Sequence, residues 1–335
     1  MGENVSLARS EMAEQPQVLE RLLQDSASAI AGAAADIVAC RPRFGVIAAR
    51  GSSDNVARYA QHLFGRFWGM PVALATPSLH TLYDADIDYR DALVIGISQS
   101  GASPDVAGVV KAATAQGAVT IAITNEPSSL LAESARHVIE LRTGPERSVA
   151  ATKTYTASLG AVAALVGVDP RDLAAMPAAM ERQLDCSLPE EIAAGWERLA
   201  VIGRGVSYGT AFEAALKLSE LTGVIAAPWS VADFMHGPIA ILEAGFPILA
   251  IAPSGPTLDG MRELLEAATE RGADVTVISD VADLPGHRIH LCAVPEWLSP
   301  LVSVIAAQKL AVGAAEVLGR DVDRPTGLQK VTLTS

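Results

Sequence analysis

Short apolar runs alternate with segments of helical length through most of the chain. In the first half the apolar runs lie at 44–49, 71–75, 92–97, 119–123 and 137–141. In the second half they lie at 199–203, 224–226, 247–252, 274–278 and 288–292. Continuous apolar runs separated by helices are typical of a parallel sheet that is covered on both faces. The pattern therefore predicts an α/β protein with a parallel sheet in each half.

The two halves repeat one another at a constant distance along the chain. Arg50 in the first strand-to-helix turn matches Arg204, and Ser100 in the second such turn matches Ser254, each pair 154 residues apart. A constant offset across two motifs indicates a duplicated domain. We therefore expect two tandem flavodoxin-like domains over 36–168 and 190–335, after a helical segment over 1–35. Because the copies differ in their polar residues, we expect both to contribute to one site.

Helical patterns fill the remaining segments. The first 40 residues predict helix with a break at Pro16, and the Ala-rich stretch from Ser148 to Val166 predicts another helix. The segment 170–189 is the expected connection between the domains, helical around 173–184. A long helix is expected over 300–318.

Composition and charge narrow the possible partners. The chain has 335 residues, half of them hydrophobic, and a net charge of −13, which disfavours binding to nucleic acid or to an anionic membrane. We find no leader pattern and expect no apolar run of membrane-spanning length. The three cysteines, Cys40, Cys186 and Cys292, are far apart in sequence and are expected to be reduced, mostly buried thiols, not a disulfide framework or a metal site. These features predict a cytoplasmic protein.

Hydroxyl side chains cluster in two strand-to-helix turns of the first half. One turn is Gly51-Ser52-Ser53-Asp54, and the other is Ser98-Gln99-Ser100-Gly101-Ala102-Ser103. Ligands of open parallel sheets bind at the carboxyl ends of strands, where helix N-termini present free amides to an anion. Either turn alone is more often a helix cap, but the two together favour a phosphate-binding site. The dinucleotide fingerprint and the lysine of a nucleotide P-loop are both missing, so nicotinamide and nucleotide binding are disfavoured.

The second half carries acid and base groups. Glu213, Lys217 and Glu220 lie at offsets of four and seven, which places them on one face of a helix. The ordinary interpretation is an exposed stripe with a weak Glu–Lys pair. The position of the helix just after Gly205, at the ligand-binding edge of the sheet, favours a catalytic role. His236, followed by Gly237 and Pro238, is expected to be a positioned imidazole; no other histidine has metal-ligand spacing with it, and we expect neither a metal nor a cofactor.

These motifs together resemble the sugar isomerase (SIS) domain family. The likeness rests on Ser98-Gln-Ser-Gly101, Ala215-Leu-Lys217-Leu-Ser-Glu220 and His236-Gly-Pro238. It continues from Glu11-Met-Ala-Glu-Gln-Pro16 through Ser148-Val-Ala-Ala-Thr-Lys153 to Asp321-Val-Asp-Arg-Pro325 and Lys330. Within the family it is greatest with the isomerase half of glucosamine-6-phosphate synthase and with the stand-alone deaminases and deglycases of that type. The sequence has no N-terminal cysteine nucleophile, so we expect that ammonia is not drawn from glutamine.

The resemblance implies a role for each matching residue. Glu220 would move a proton between C1 and C2 of the sugar, and His236, supplied by the partner subunit of a homodimer, would assist ring opening. Lys217 and Glu213 would orient these groups, and Lys330 would meet the sugar carbonyl. The implied phosphate and sugar contacts are Gly51, Ser52, Ser53, Ser98, Gln99, Ser100, Ser103, Val149 and Ala151. Arg50 and the segment Pro228-Trp229-Ser230-Val231 depart from the synthase pattern.

The leading interpretation is an isomerising deaminase that converts glucosamine 6-phosphate to fructose 6-phosphate and ammonia. The candidate residues suit this reaction, because proton transfer in an open-chain sugar needs a carboxylate, a proton donor and remote phosphate binding. One alternative is a phosphosugar aldose–ketose isomerase or a fructosamine-phosphate deglycase. A second alternative, from another class, is a sugar-phosphate sensor without catalysis. The sequence alone does not choose the sugar epimer, the amine or the direction of the reaction.

Overall fold

The computed structural model describes residues 5–330, which divide into two compact units. The first-sheet unit consists of Gln17–Glu146, Lys153–Ala175 and residues 329–330. The second-sheet unit consists of residues 5–16, Arg147–Thr152 and Met176–Leu328. Each unit holds one parallel five-stranded sheet flanked by helices, which confirms the predicted pair of flavodoxin-like domains.

All ten predicted strands are present. In chain order they are β1 (Phe44–Ala48), β2 (Val72–Leu74), β3 (Ala92–Ile97), β4 (Val119–Thr124), β5 (His137–Glu140), β6 (Arg198–Gly203), β7 (Ile225–Ser230), β8 (Pro247–Ile251), β9 (Asp274–Ser279) and β10 (His287–His290). The strand β7 extends further than predicted, through Pro228. It lies at the edge of its sheet and pairs only with β6, so a residue without an N–H group is tolerated there.

Fourteen α-helices are formed by the described residues. They are α1 (Leu7–Ala13), α2 (Gln15–Asp25), α3 (Ala27–Cys40), α4 (Ser52–Trp68), α5 (Ser78–Thr81), α6 (Pro104–Ala115), α7 (Leu130–Ser134), α8 (Lys153–Val166), α9 (Pro170–Ala174), α10 (Met176–Asp185), α11 (Ser207–Thr222), α12 (Val231–Met235), α13 (Leu258–Glu270) and α14 (Ser299–Val317). The predicted break falls between α1 and α2. Pro16 lies in the first turn of α2, where its missing N–H has no intrahelical partner to lose.

The duplication extends to the strand order and the pairing register. The sheets run β2-β1-β3-β4-β5 and, read from the equivalent edge, β7-β6-β8-β9-β10. Val46 pairs with Val94 across β1 and β3, and Ala200 pairs with Ile248 across β6 and β8. The second pair lies 154 residues beyond the first at both positions, so that the sequence repeat is also a repeat of backbone hydrogen bonding.

Helix α8 begins later than the Ala-rich pattern predicted, and the prediction of helix over 148–152 is wrong. The N–H groups of Arg147 and Ser148 are bound by the carboxylate of Glu11, at 2.5 and 3.2 Å. The N–H of Val149 donates to the carbonyl of Asp323 at 3.3 Å. These partners come from remote parts of the second-sheet unit, and they replace the hydrogen bonds that a helix would make.

Each sheet has its own apolar core. In the first-sheet unit Val94 and Ala122 pack with Val110 of α6 and Leu131 of α7. In the second-sheet unit the equivalent cluster contains Ile248, Val277, Leu264 and Phe234. Burial of such side chains supplies most of the driving force for folding of each unit.

One described helix is long and apolar enough to cross a membrane. By length and composition, the expectation that no apolar run reaches membrane-spanning length is therefore wrong. The helix covers Glu296–Val317 and includes α14, and its apolar window is completely buried inside the protein. Helix α14 packs against α10 and α11 within the second-sheet unit. A helix that is apolar on all sides and covered on all sides has the composition of a core helix.

Candidate active site

The two hydroxyl-bearing turns lie next to each other in the first-sheet unit. One joins β1 to α4 and the other joins β3 to α6, and β1 pairs directly with β3. In a parallel sheet both turns are therefore at the carboxyl edge, as predicted. Gly51 is the residue before α4, with Ser52 and Ser53 in its first turn, and Ser103 is the residue before α6.

The β3–α6 turn has a fixed backbone. The N–H of Gly101 donates to the Ser98 hydroxyl at 3.1 Å, and the N–H of Asn125 donates to the Gln99 carbonyl at 3.1 Å. Gly101 has a φ of +59°, and a Cβ at this position would lie 2.0 Å from the hydroxyl oxygen of Ser129. Only glycine fits here, because both the conformation and the space exclude a side chain.

The hydroxyls of this turn are not consumed by helix capping. The side chain of Ser103 makes no capping hydrogen bond, although Ser103 occupies the cap position of α6. The hydroxyl of Ser100 accepts one backbone hydrogen bond, from Ala102 at 3.3 Å, and Ser53 and Ser100 are both half-buried. The hydroxyls of Ser100 and Ser103 lie just before α6 and can donate hydrogen bonds to an anion at this edge of the sheet.

A cation also lies at this edge. The Arg50 guanidinium binds one carboxylate oxygen of Asp105, with Nε at 3.0 Å and a terminal nitrogen at 2.8 Å. Asp105 is 2 % exposed in the first turn of α6, whereas Arg50 is 47 % exposed. In the sequence, Arg50 marks the repeat with Arg204 and departs from the family pattern. Its contact with Asp105 could not be seen in the sequence, because the two residues come from different turns.

The acid–base face of α11 is largely buried in the second-sheet unit. The side chains of Glu213 and Lys217 are 0 % and 2 % exposed, and their charged atoms are 3.7 Å apart. The Lys217 ammonium also donates a hydrogen bond to Glu220, whose side chain is 24 % exposed. The structure thus brings the three predicted residues together and excludes the alternative of an exposed stripe for Glu213 and Lys217. Glu220 is the member that solvent and a small molecule can reach.

His236 lies on an exposed turn after α12 in the same unit. The turn is anchored through α12, the helix that precedes it. Ser230 caps α12 by accepting from the N–H of Asp233 at 3.0 Å, and Phe234 is fully buried beside Trp229, with ring centroids 6.3 Å apart. The departure at Pro228–Val231 is therefore the end of β7 and the start of α12, the elements that position the imidazole.

Val149 and Ala151 are half-buried in the irregular segment before α8. This segment is held by Glu11, which is 4 % exposed and binds two of its N–H groups. Glu11 appeared in the sequence only as part of a motif. Its role as a positioning residue depends on contacts more than 130 residues away, as the separations of 136 and 137 show.

Lys330 belongs to the first-sheet unit, where its ammonium donates to the carboxylate of Glu146 at 2.7 Å. The Glu146 side chain is fully buried and also accepts from the N–H and the hydroxyl of Thr154, at 3.0 and 2.8 Å. Thr154 is in the first turn of α8, so Glu146 joins the tail of the chain to a helix N-terminus. No motif in the sequence indicates a role for Glu146.

The cysteines differ from the expectation of isolated, mostly buried thiols. Cys40 is exposed, Cys186 is half-buried and Cys292 is buried. Cys186 and Cys292 come together with His290 in the second-sheet unit. Burial raises the pKa of the Cys292 thiol, and the adjacent Cys186 sulfur raises that pKa further.

Comparison with known proteins agrees with this architecture. The family model for the SIS domain matches the chain twice, over residues 43–167 and 193–317. A glutamine–fructose-6-phosphate aminotransferase (isomerizing) from Pyrococcus horikoshii is 34 % identical over 306 residues, which are 85 % of this chain and 51 % of that protein. The chain spans about half the length of the curated relatives it matches.

Two solved structures extend the comparison. One, from Silicibacter pomeroyi DSS-3 and named for a proposed phosphosugar isomerase activity, is 32 % identical with a TM-score of 0.88, covering 95 % of this chain and 100 % of that one. The other is the C-terminal domain of glucosamine-fructose-6-phosphate aminotransferase from Francisella tularensis, 24 % identical with a TM-score of 0.80, covering 97 % and 99 %. At this identity the second likeness concerns the fold alone.

Proposed function

Because the chain belongs to the SIS domain family, we propose that it is a phosphosugar isomerase that moves a proton between C1 and C2 of its substrate. The observation that carries the proposal is the α11 face, where buried Lys217 binds the partly exposed carboxylate of Glu220. A carboxylate that an ammonium holds in place and that a substrate can reach is suited to accept a proton as a general base. In the proposal Glu220 is this base.

In this proposal the phosphate of the substrate binds to the first-sheet unit. Two adjacent turns carry hydroxyls and helix N-termini, and Arg50 adds a cation at the same edge. This combination supports an anion site in a chain whose net charge is −13. Binding of the remote phosphate would hold C1 and C2 in place, and its binding energy would lower the barrier for proton transfer.

The specific reaction that we propose is the isomerising deamination of glucosamine 6-phosphate. After ring opening, which His236 assists, Glu220 takes the proton from C2 and returns it to C1. The C2 amine gives up one N–H proton while the C1 oxygen gains one, which leaves an imine at C2 and a hydroxyl at C1. One water molecule then hydrolyses the imine to the ketone of fructose 6-phosphate with release of ammonia. Lys330, whose side chain is partly exposed, would stabilise the negative charge that develops on the sugar, while Lys217 orients Glu220.

An aldose–ketose isomerisation without loss of an amine is a second candidate. It is favoured by the Silicibacter pomeroyi relative, which is 32 % identical over almost the full length of both chains and is named for a proposed phosphosugar isomerase activity. Proton transfer by Glu220 is common to both reactions, so that the substrate's C2 substituent decides between them.

The test is a panel of substrates with separate measurement of each product. The purified protein is incubated with glucosamine 6-phosphate, fructosamine 6-phosphate, glucose 6-phosphate and unphosphorylated glucosamine. Ammonia and fructose 6-phosphate in equal amounts from the first compound alone support the deaminase. Interconversion of glucose and fructose 6-phosphates without ammonia supports the plain isomerase. Binding of these sugars without turnover would contradict both and leave the sensor.

A further inference from the structure

Two thiols and an imidazole meet at the edge of the second sheet. Cys186 follows the end of α10, His290 is the last residue of β10, and Cys292 lies two residues further on. The potential ligand atoms of these three side chains all lie within 4.8 Å of one another. The cluster combines soft sulfur donors with a nitrogen donor, and no step of the proposed reaction uses it.

The donor set suits a particular metal ion. Cysteine sulfur and histidine nitrogen are the usual ligands of Zn²⁺, whereas Mg²⁺ and Ca²⁺ prefer oxygen. With bonds of about 2.3 Å to sulfur and about 2.0 Å to nitrogen, tetrahedral geometry needs about 3.8 Å between sulfurs and about 3.5 Å between sulfur and nitrogen. A cluster within 4.8 Å reaches this geometry through small side-chain movements.

The backbone around the ligands is held by two side chains, those of Gln183 and Lys309. Gln183 of α10 is fully buried; its amide nitrogen donates to the His290 carbonyl at 3.0 Å, and its amide oxygen accepts from the N–H of Cys292 at 2.7 Å. Lys309 of α14 donates to the carbonyls of Leu184 and Cys186, the latter at 2.7 Å. His290 and Cys292 are thereby fixed to α10, the helix that ends just before Cys186, as a preorganised site requires.

We propose that Cys186, His290 and Cys292 bind one Zn²⁺ ion, with water as the fourth ligand. Both cysteines would bind as thiolates, and their protons would pass to solvent. The ion would join α10 to the edge strand β10 and stabilise that edge of the second-sheet unit. Two strands, β9 and β8, lie between β10 and β6 in the sheet, and β6 is the strand that leads into α11. The proposal replaces the sequence-based expectation that these cysteines form no metal site.

The experiment uses cobalt as a spectroscopic substitute for zinc. The full chain is reduced, freed of metal with a chelator and titrated anaerobically with Co²⁺ while thiolate-to-cobalt charge-transfer absorption is recorded. We expect one equivalent to produce the band and Zn²⁺ to displace it. Cys186→Ser and Cys292→Ser should each abolish the band, and His290→Ala should weaken binding by more than about tenfold.

Two features keep the test decisive. Cys40→Ser removes the exposed cysteine of the other unit and should leave the titration unchanged. His290 is exposed, so that His290→Ala tests the site in a chain whose fold does not depend on this side chain. The proposal is overturned if the reduced wild type gives no charge-transfer band, or if the band survives in both serine variants. A Cys186–Cys292 disulfide formed in air, without metal binding by the reduced protein, would likewise overturn it.

Discussion

The Lys217 ammonium donates a hydrogen bond to the carboxylate of Glu220, and the two side chains differ sharply in exposure, at 2 % and 24 %. The lysine is enclosed by the second-sheet unit, while the glutamate keeps part of its surface open. Such a pair places a fixed positive charge behind an accessible carboxylate. This asymmetry is what makes Glu220, and not Glu213, the candidate for contact with a substrate.

Replacing Glu220 with glutamine should abolish most of the proton transfer. The amide keeps the shape and cannot accept a proton, so the rate should fall by about 10²–10⁴, the usual contribution of a positioned general base. Exchange of the C2 hydrogen of glucosamine 6-phosphate in D₂O, followed by NMR, measures this step directly. Glu266→Gln, at an exposed position of α13, is the matched control and should exchange at the wild-type rate. A wild-type exchange rate in Glu220→Gln would remove Glu220 from the mechanism.

Replacing Lys217 with methionine should destabilise the second-sheet unit. Glu213 is fully buried, and removal of the adjacent ammonium leaves its charge without that partner. Breaking a buried ion pair costs about 3–5 kcal/mol, whereas replacing both partners costs much less. We therefore expect a large loss in the free energy of unfolding for Lys217→Met and partial recovery for Glu213→Gln/Lys217→Met, measured by urea denaturation. Equal stability of the single variant and the wild type would contradict this account of the pair.

The hydroxyl of Ser100 is predicted to bind the phosphate. Ser100→Ala should lower the affinity for a sugar phosphate about tenfold or more, because a hydrogen bond to a charged group contributes about 1.5–3 kcal/mol. The duplication supplies the control: Ser254 occupies the equivalent position of the second sheet, where its hydroxyl binds Asp280 at 2.6 Å. Calorimetric titration should show an unchanged affinity for Ser254→Ala. Equal losses in both variants would indicate a general effect on folding instead.

Local patterns predicted the helices and strands of this protein far better than its long-range polar contacts. The strands and the two hydroxyl turns depend on neighbouring residues, so that periodicity and turn composition were sufficient to find them. The contacts of Glu11, Glu146 and Cys292 join segments more than 100 residues apart, at separations of 136, 184 and 109. No local signal encodes such a pairing, because it is decided by how the elements pack. The segment before α8 is an example: its Ala-rich composition predicted helix, but hydrogen bonds to remote partners hold it in an irregular conformation.

Arg50 is predicted to strengthen phosphate binding at the first sheet. Arg50→Met should weaken sugar-phosphate binding about tenfold, since a charge-assisted contact is lost, and should make the affinity less sensitive to salt. The variant also leaves buried Asp105 without its cation, so Arg50→Met/Asp105→Asn is needed to separate a binding effect from a folding effect. Arg204→Met, at the equivalent exposed turn of the second sheet, should bind normally. Unchanged affinity in the double variant would exclude a role for Arg50.

The last prediction concerns the proposal that a partner subunit supplies His236. If two chains of a homodimer share their sites, Glu220→Gln and His236→Ala should complement each other. Each mixed dimer then holds one site with wild-type Glu220 from one chain and wild-type His236 from the other. After random exchange half of the dimers are mixed, so that activity should recover to about a quarter of the wild-type value.

The matched control is a mixture of Glu220→Gln with the double variant Glu220→Gln/His236→Ala. Every site in that mixture lacks Glu220, and no activity should return however well the subunits exchange. Native mass spectrometry measures the fraction of mixed dimers in both experiments. Mixed dimers that form in the first mixture but stay inactive would show that Glu220 and His236 of the same chain must act together, and the shared site would be wrong.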